Sequence, residues 1–186
     1  MRSLNRVVMQ KASRDWINSL GPGKLDALEL SGKWGEGFPF RSYRALNFRQ
    51  FDPCQGPLRD EAGKVARFDL ILANQVWEHV DRPYAATRTI RRMLRPGGWF
   101  WVAVPFFIPY HAAPVDCSRW TARGLKNLLI EAGFAEDRIQ SHQWGNRHVA
   151  QRNLEIPWPP ELRDGDDLTD DPAFPVVTWA MAQRDQ

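Results

Sequence analysis

The sequence is short of several things, and each shortage closes off a reading. Its 186 residues hold only two cysteines, Cys54 and Cys117. That is too few for a disulfide framework or a closed zinc site, and it favours a reducing compartment, so a cytoplasmic protein is expected. No apolar run approaches the roughly 20 residues that a bilayer span needs. The first residues lack the uninterrupted apolar stretch of a secretory signal. No stable membrane insertion is therefore expected. There is no block of Lys or Arg: 25 basic residues against 22 acidic ones leave a formal charge of +3, with the two signs interspersed. Such a surface predicts no nucleic-acid partner. Internal repeats and low-complexity tracts are missing too. A complete G-x-G-x-x-G is also absent, so a dinucleotide oxidoreductase rests on one strand and a glycine-bearing loop. What is present is 43% apolar residues, enough for a single well-cored domain over 1–186.

The most informative stretch is FDLILANQVWEHVDRPYAATRTIRRMLRPGGWFWVAVPF, from Phe68 to Phe106. Phe68–Ala73 is a continuous apolar run of the length expected for a strand buried on both faces. Asp81 is placed to cap a helix on which Ala86, Ile90, Met93 and Leu94 form one apolar stripe. Arg91, Arg92 and Arg95 suit the negative end of that helix. Pro96-Gly97-Gly98 stops it, and Trp99–Val104 follows as a second apolar strand. The unit is a complete parallel crossover. Ligands of open parallel sheets bind beyond the carboxyl ends of the strands, which makes 74–80 and 105–111 a functional rim.

Residues 1–20 read as an amphipathic helix with Leu4, Val8, Ile17 and Leu20 on one face, ended by Gly21-Pro22-Gly23. Its basic residues admit a membrane-surface or partner role beside plain packing on the first strand. Leu25–Leu30 predicts that strand, and the loop Ser31–Gly37 after it carries glycines of the kind that let backbone N–H groups approach a nucleotide-type cofactor. Ser42–Asn47 predicts a second strand. Phe38-Pro39-Phe40 lies between the two and opposes a regular helix, so the first crossover is expected to be abbreviated. Phe51–Cys54 is a candidate for a very short third strand. After the proline-bearing rim loop 106–120, Thr121 caps a helix bearing Leu125, Leu128, Leu129 and Ala132 and closed by Gly133. A strand over 138–144, an irregular surface excursion over 145–172 and a last strand, Phe174–Met181, complete the chain. The pattern is an α/β sheet whose final strand returns antiparallel.

The stretch 68–106 resembles the signature of the class I S-adenosylmethionine-dependent methyltransferases, in particular the small bacterial type 11 group. The shared features are an FD-strand, EHV-x-x-P, a helix, LRPGG and a strand ending in VPF. The resemblance continues through Pro109, His111, Pro114, Asp116, Arg119, Thr121, Gly124 and Leu125, and through Ala132-Gly133-Phe134. It implies a Rossmann-like, mostly parallel sheet with the last strand antiparallel, and S-adenosyl-L-methionine as cofactor over the carboxyl ends of the first, second and fourth strands. Transferred by position, Glu29 is the acidic residue opening the glycine loop and Gly35 its third glycine. Ser31 and Lys33 stand where the first two glycines are usual, with Gly32 as a displaced substitute. Asn47 occupies the place of the acidic residue that takes the ribose hydroxyls, and can still hydrogen-bond them without charge assistance. Asp52 falls at the edge of the adenosine site, and Asn74 and Gln75 line cofactor and substrate.

A methyl on a sulfonium is already activated, so the protein must supply proximity, in-line orientation and, for a protonated O or N nucleophile, a base. His111, His79 and Asp116 are the catalytic candidates, with Glu78 nearby. Asp116 and Arg119 can equally form a pair that fixes the loop. Some ubiquinone-pathway methyltransferases hold a metal with E-x-x-E-H; here Gln75 removes one carboxylate from the matching run, and no metal is expected. The expected activity is methyl transfer to an O or N atom of a small-molecule substrate, with a homodimer admitted. The departures at Ser31, Lys33 and Asn47 motivate the alternative, a methyltransferase-like domain that has lost catalysis and serves as a binding or scaffold partner.

Overall fold

Leu70 and Leu72 alternate with Ile71 and Ala73 along one strand, and all four are fully buried. A strand apolar on both sides needs cover on both sides, and that requirement organises the chain. The structure, a computed structural model, describes residues 2–186. It contains six strands, β1 (Asp26–Leu30), β2 (Ser42–Leu46), β3 (Phe68–Asn74), β4 (Leu94–Pro105), β5 (Ile139–Trp144) and β6 (Val177–Gln183). They form one sheet in the order β2-β1-β3-β4-β6-β5. β1, β2, β3 and β4 pair in parallel, and β6 runs antiparallel to both of its neighbours. This is the Rossmann-like sheet that the resemblance implied.

Helices α2 (Pro83–Met93) and α3 (Ala122–Glu131) cover one face. There Ile90, Met93, Leu125 and Leu129 meet Ile71, Phe100 and Val102. Helix α1 (Val7–Ser19) and the short α4 (Arg147–Arg152) cover the other, where Met9 and Ile17 join Leu70, Leu72, Trp101 and Val149. The buried stripe of α1 is Met9, Ser13 and Ile17 rather than the Val8 and Leu20 suggested by the sequence. Ser13 is there because its hydroxyl accepts from Trp101 Nε1 at 2.9 Å. The first crossover is indeed abbreviated: between β1 and β2 there is one 3-10 turn, Trp34–Gly37.

Four expectations are corrected. Phe51–Cys54 is no strand: Asp52 caps a 3-10 turn over Pro53–Gln55 by accepting from Cys54 N at 2.8 Å. Asp81 does not cap α2, which Pro83 opens after Arg82 with no side-chain cap; the Asp81 carboxylate instead faces the Cys117 thiol. Pro96-Gly97-Gly98 does not end the helix either. α2 stops at Met93, and β4 starts at Leu94 because Gly97 N and Gly98 O bond Arg184 just beyond β6. Gly98 itself cannot be larger, since a Cβ would stand 3.1 Å from the Asp69 carbonyl and 3.2 Å from that of Phe68. Finally, 145–172 is tied down rather than loose. It carries α4, Asn146 Nδ2 donates to the carbonyls of Asp167 and Thr169, and Arg152 pairs with the buried Asp166.

Candidate functional site

Because β1, β2, β3, β4 and β5 all point the same way, Leu30, Leu46, Asn74, Pro105 and Trp144 end at one rim, where β6 begins. The loop after β1 is built around Glu29, which is fully buried. One carboxylate oxygen accepts from Trp34 N at 3.0 Å, and the other accepts from Gly35 N and from Tyr43 Oη, both at 2.6 Å. Burial, followed by the Glu29 carboxylate, pushes the Tyr43 phenol well above its ordinary range. The glycines of this loop make room for the same carboxylate. A Cβ on Gly32 would collide with Glu29 Oε1, and one on Gly35 would lie 2.9 Å from Oε2 and 2.5 Å from Tyr43 Cε2. Glu29 therefore shapes the loop from beneath. Ser31 turns out of β1 at φ 54, a left-handed conformation that a non-glycine residue adopts at a cost. Lys33 points to solvent and pairs with Glu36 at 3.4 Å.

The loop after β3 starts the same way, with Gln75 at φ 58, and coils into a 3-10 turn, Trp77–His79. Trp77 Nε1 donates to Thr87 Oγ1 at 2.9 Å, which anchors the turn on α2. The rim loop 106–120 is clipped onto it: Cys117 N donates to the Glu78 carbonyl at 2.7 Å, and His79 Nδ1 bonds the Val115 carbonyl at 2.5 Å. That bond assigns the ring proton to Nδ1 and leaves the Nε2 lone pair free, 3.7 Å from Glu78 Oε1. Glu78 is 2% exposed, and burial raises its carboxyl to about 7 against the partial opposition of its own backbone N–H and of Arg6. The rings of His79 and His111 stand edge to face at 5.3 Å, and Trp158 packs on the far side of His111 at 5.1 Å. Burial, then the neighbouring His79, lowers the pKa of His111. Asp116 is committed to holding this loop: it accepts from His111 N at 2.7 Å and forms a bidentate pair with Arg119, which keeps its carboxyl below the usual range.

These residues enclose a cleft of about 540 Å³ above β1, β2 and β3, within the size range of small-molecule sites. It brings together Ser31, Asn47, Gln75, His79 and His111, five of the residues singled out from the sequence, and adds Phe48, Arg49 and Pro114. An adjoining hollow of about 300 Å³ reaches Gly32 and Lys33 through Ser31 and Asn47. Glu29 and Gly35 lie under the cleft. Asn74 ends β3 without lining it, and Asp52 is turned into its own 3-10 turn. Asn47 Oδ1 accepts from the backbone of Arg49 and Gln50, which leaves its amide N–H groups to face the cleft. Phe48 was within reach of sequence reasoning as the neighbour of Asn47. Arg6 and Trp158 were not, because they reach the rim only through a fold-back in which Ser3 bridges Glu161 and Leu4 N bonds the Pro160 carbonyl.

Residues 25–102 match the family model described as a methyltransferase domain. Among solved structures, the chain resembles 1,6-didemethyltoxoflavin-N1-methyltransferase of Burkholderia thailandensis, solved with 1,6-didemethyltoxoflavin and S-adenosylhomocysteine (TM-score 0.63, 18% identity, 98% of this chain and 80% of that one). It also resembles S-adenosylmethionine-dependent methyltransferases of Thermotoga maritima (0.60, 14%, 94% and 95%) and Mesorhizobium loti (0.54, 15%, 93% and 98%). No curated protein matches the chain by sequence. The fold and the match over 25–102 make this a class I methyltransferase domain, the class whose cofactor is S-adenosylmethionine.

The residues present fit that cofactor. Gln75 Nε2 and Asn74 Oδ1, at the carboxyl end of β3, are buried without a hydrogen-bond partner, and such atoms are rare unless something else satisfies them. Ser31, Asn47 and Gln75 offer hydroxyl and amide groups around the cleft, and Phe48 offers a flat apolar face. Among the described residues, no group of three or more His, Cys, Asp or Glu side chains is placed to hold a metal ion.

Proposed function

We propose that the chain transfers a methyl group from S-adenosyl-L-methionine to an O or N atom of a small molecule. The observation that carries this reading is the convergence of Ser31, Asn47 and Gln75 with His79 and His111 on one cleft. When bound there, the cofactor supplies an electrophilic methyl on its sulfonium. The chain's share is to hold the nucleophile in line and to take its proton. His111 suits the second task, because a lowered pKa keeps its ring neutral and able to accept a proton near pH 7. His79, with Nε2 unprotonated beside Glu78, backs it. Asp116 acts through the loop that it ties to Arg119. The two free thiols, Cys54 and Cys117, fit a reducing, cytoplasmic setting.

Incorporation of a tritiated methyl into a panel of hydroxylated and amine acceptors tests the proposal. His111→Ala should lower kcat about 10²–10⁴-fold, the ordinary share of a general base, while S-adenosylhomocysteine binds as to the wild type. The acid limb of the wild-type kcat/KM profile should fall below the ordinary histidine value of ~6.5. Cofactor binding without transfer to any acceptor would favour the second reading, a binding domain that has lost catalysis. The capped Asn47 Oδ1, turned away from ribose hydroxyls, gives that reading its footing.

A further inference from the structure

The rim has a second cavity that the methyl-transfer reading does not use. It lies above β4, β6 and β5 and measures about 410 Å³. Phe106 and Phe107 form one wall, continuing out of β4; Phe174 and Pro175, leading into β6, form another. The third wall is α4 and the turn beyond it. Arg147, Ala150, Gln151 and Leu154 all line the cavity, and their spacing of i, i+3, i+4 and i+7 puts them on one face of that helix.

The chemistry of this hollow is lopsided. Seven of its nine lining residues are apolar, and the two that are not, Arg147 and Gln151, are neighbours at i, i+4. The Arg147 guanidinium is held over the Phe174 ring at 4.9 Å. Among the described residues no carboxylate pairs with it, although the chain forms ion pairs freely elsewhere. The apolar surface continues outside the cavity, where Phe107 is 45% exposed and Leu154 73% exposed. An uncovered apolar hollow with a single oriented cation at its edge is complementary to a molecule that is apolar along its body and carries one negative charge at its end.

We propose that this cavity binds a monoanionic amphiphile, an aryl or medium-chain acyl carboxylate, with its apolar body between Phe106, Phe174 and α4. Its carboxylate pairs with Arg147, and the Gln151 amide donates to the second oxygen. The cation–π contact pre-orients the guanidinium, so little side-chain freedom is lost on pairing. The site is separate from the cofactor cleft, whose lining shares none of these nine residues, and its occupancy does not depend on methyl transfer.

Calorimetric titration of the full chain with decanoate and with 1-decanol tests this. Two variants at exposed positions separate charge from shape: Arg147→Gln removes the cation, and Ala173→Trp fills the mouth. Decanoate is expected to bind one to one. Arg147→Gln should weaken decanoate at least tenfold and leave 1-decanol unchanged, while Ala173→Trp should weaken both at least tenfold. S-adenosylhomocysteine should bind all three proteins alike and should not displace decanoate. The proposal is overturned if decanoate shows no saturable binding at millimolar concentration, or binds both variants like the wild type. It is equally overturned if S-adenosylhomocysteine displaces decanoate, or if Ala173→Trp instead breaks a concentration-dependent dimer, which would make the cavity an interface between copies.

Discussion

The loop after β1 and the loop after β3 meet over the same rim and begin alike, each turning out of its strand through a non-glycine residue at positive φ, Ser31 and Gln75. They end differently. In the first, the only buried charge, Glu29, is saturated by two backbone N–H groups and the Tyr43 hydroxyl, all within the loop and the neighbouring strand. In the second, Gln75 Nε2 and Glu78 Oε2 are buried and unpartnered, as is Asn74 Oδ1 at the strand end. One loop completes itself, whereas the other leaves its polar atoms turned toward a space. The first is scaffold that sets the cleft's floor, and the second carries the groups that a ligand would satisfy.

That contrast can be broken most violently at Glu29. Glu29→Ala strands three buried donors at once, and at roughly 1–3 kcal/mol per unsatisfied group it should cost about 4 kcal/mol. Thermal denaturation should show the midpoint falling by about 10 °C for a chain of this size. The second loop should respond to pH instead. Burial raises Glu78 from an ordinary 4.5 to about 7, so between those values the folded protein keeps a proton that the unfolded chain has released. Stability attributable to Glu78 is therefore greatest below about 4.5 and declines as pH rises through 7. Glu78→Gln removes that dependence, and its stability relative to wild type should climb by about 3 kcal/mol between pH 4 and pH 8 in denaturant titrations. Gly35→Ala, which presses a methyl against Tyr43 and Glu29, should cost about 2 kcal/mol by the same measurement. The smallest effect is expected at Ser31→Gly, where relief of the left-handed backbone should raise stability by under about 1 kcal/mol with cofactor affinity preserved.

Much of the fold was legible because strands buried on both faces leave continuous apolar runs, as in Phe68–Ala73 and Trp99–Val104. Elements set by local competition were harder to read. Asp81 looked like a cap, but Pro83 opens α2 without one. Phe51–Cys54 looked extended, but Asp52 bends it into a turn. α4 is six residues long and held by Asn146, whose bonds go to residues some twenty positions on, and no local period reveals that. In the site, Ser31, Asn47 and Gln75 could be placed because each ends or follows a strand and strand ends share a rim. The setting of Glu78 could not, since Arg6 arrives from the opposite end of the chain through the pairing of Ser3 with Glu161. The aliphatic and aromatic hollow under Arg147 was equally hidden, because its three walls are distant in sequence.

The central claim is that the cleft over β1, β2 and β3 takes the cofactor, with the β3 loop supplying the missing partners. Calorimetric titration with S-adenosylhomocysteine of the wild type beside Gln75→Ala tests it most directly. Saturable one-to-one binding to the wild type, weakened about tenfold by the loss of one buried hydrogen bond in the variant, is the predicted result. No heat at millimolar ligand, or equal affinity for both proteins, would contradict it.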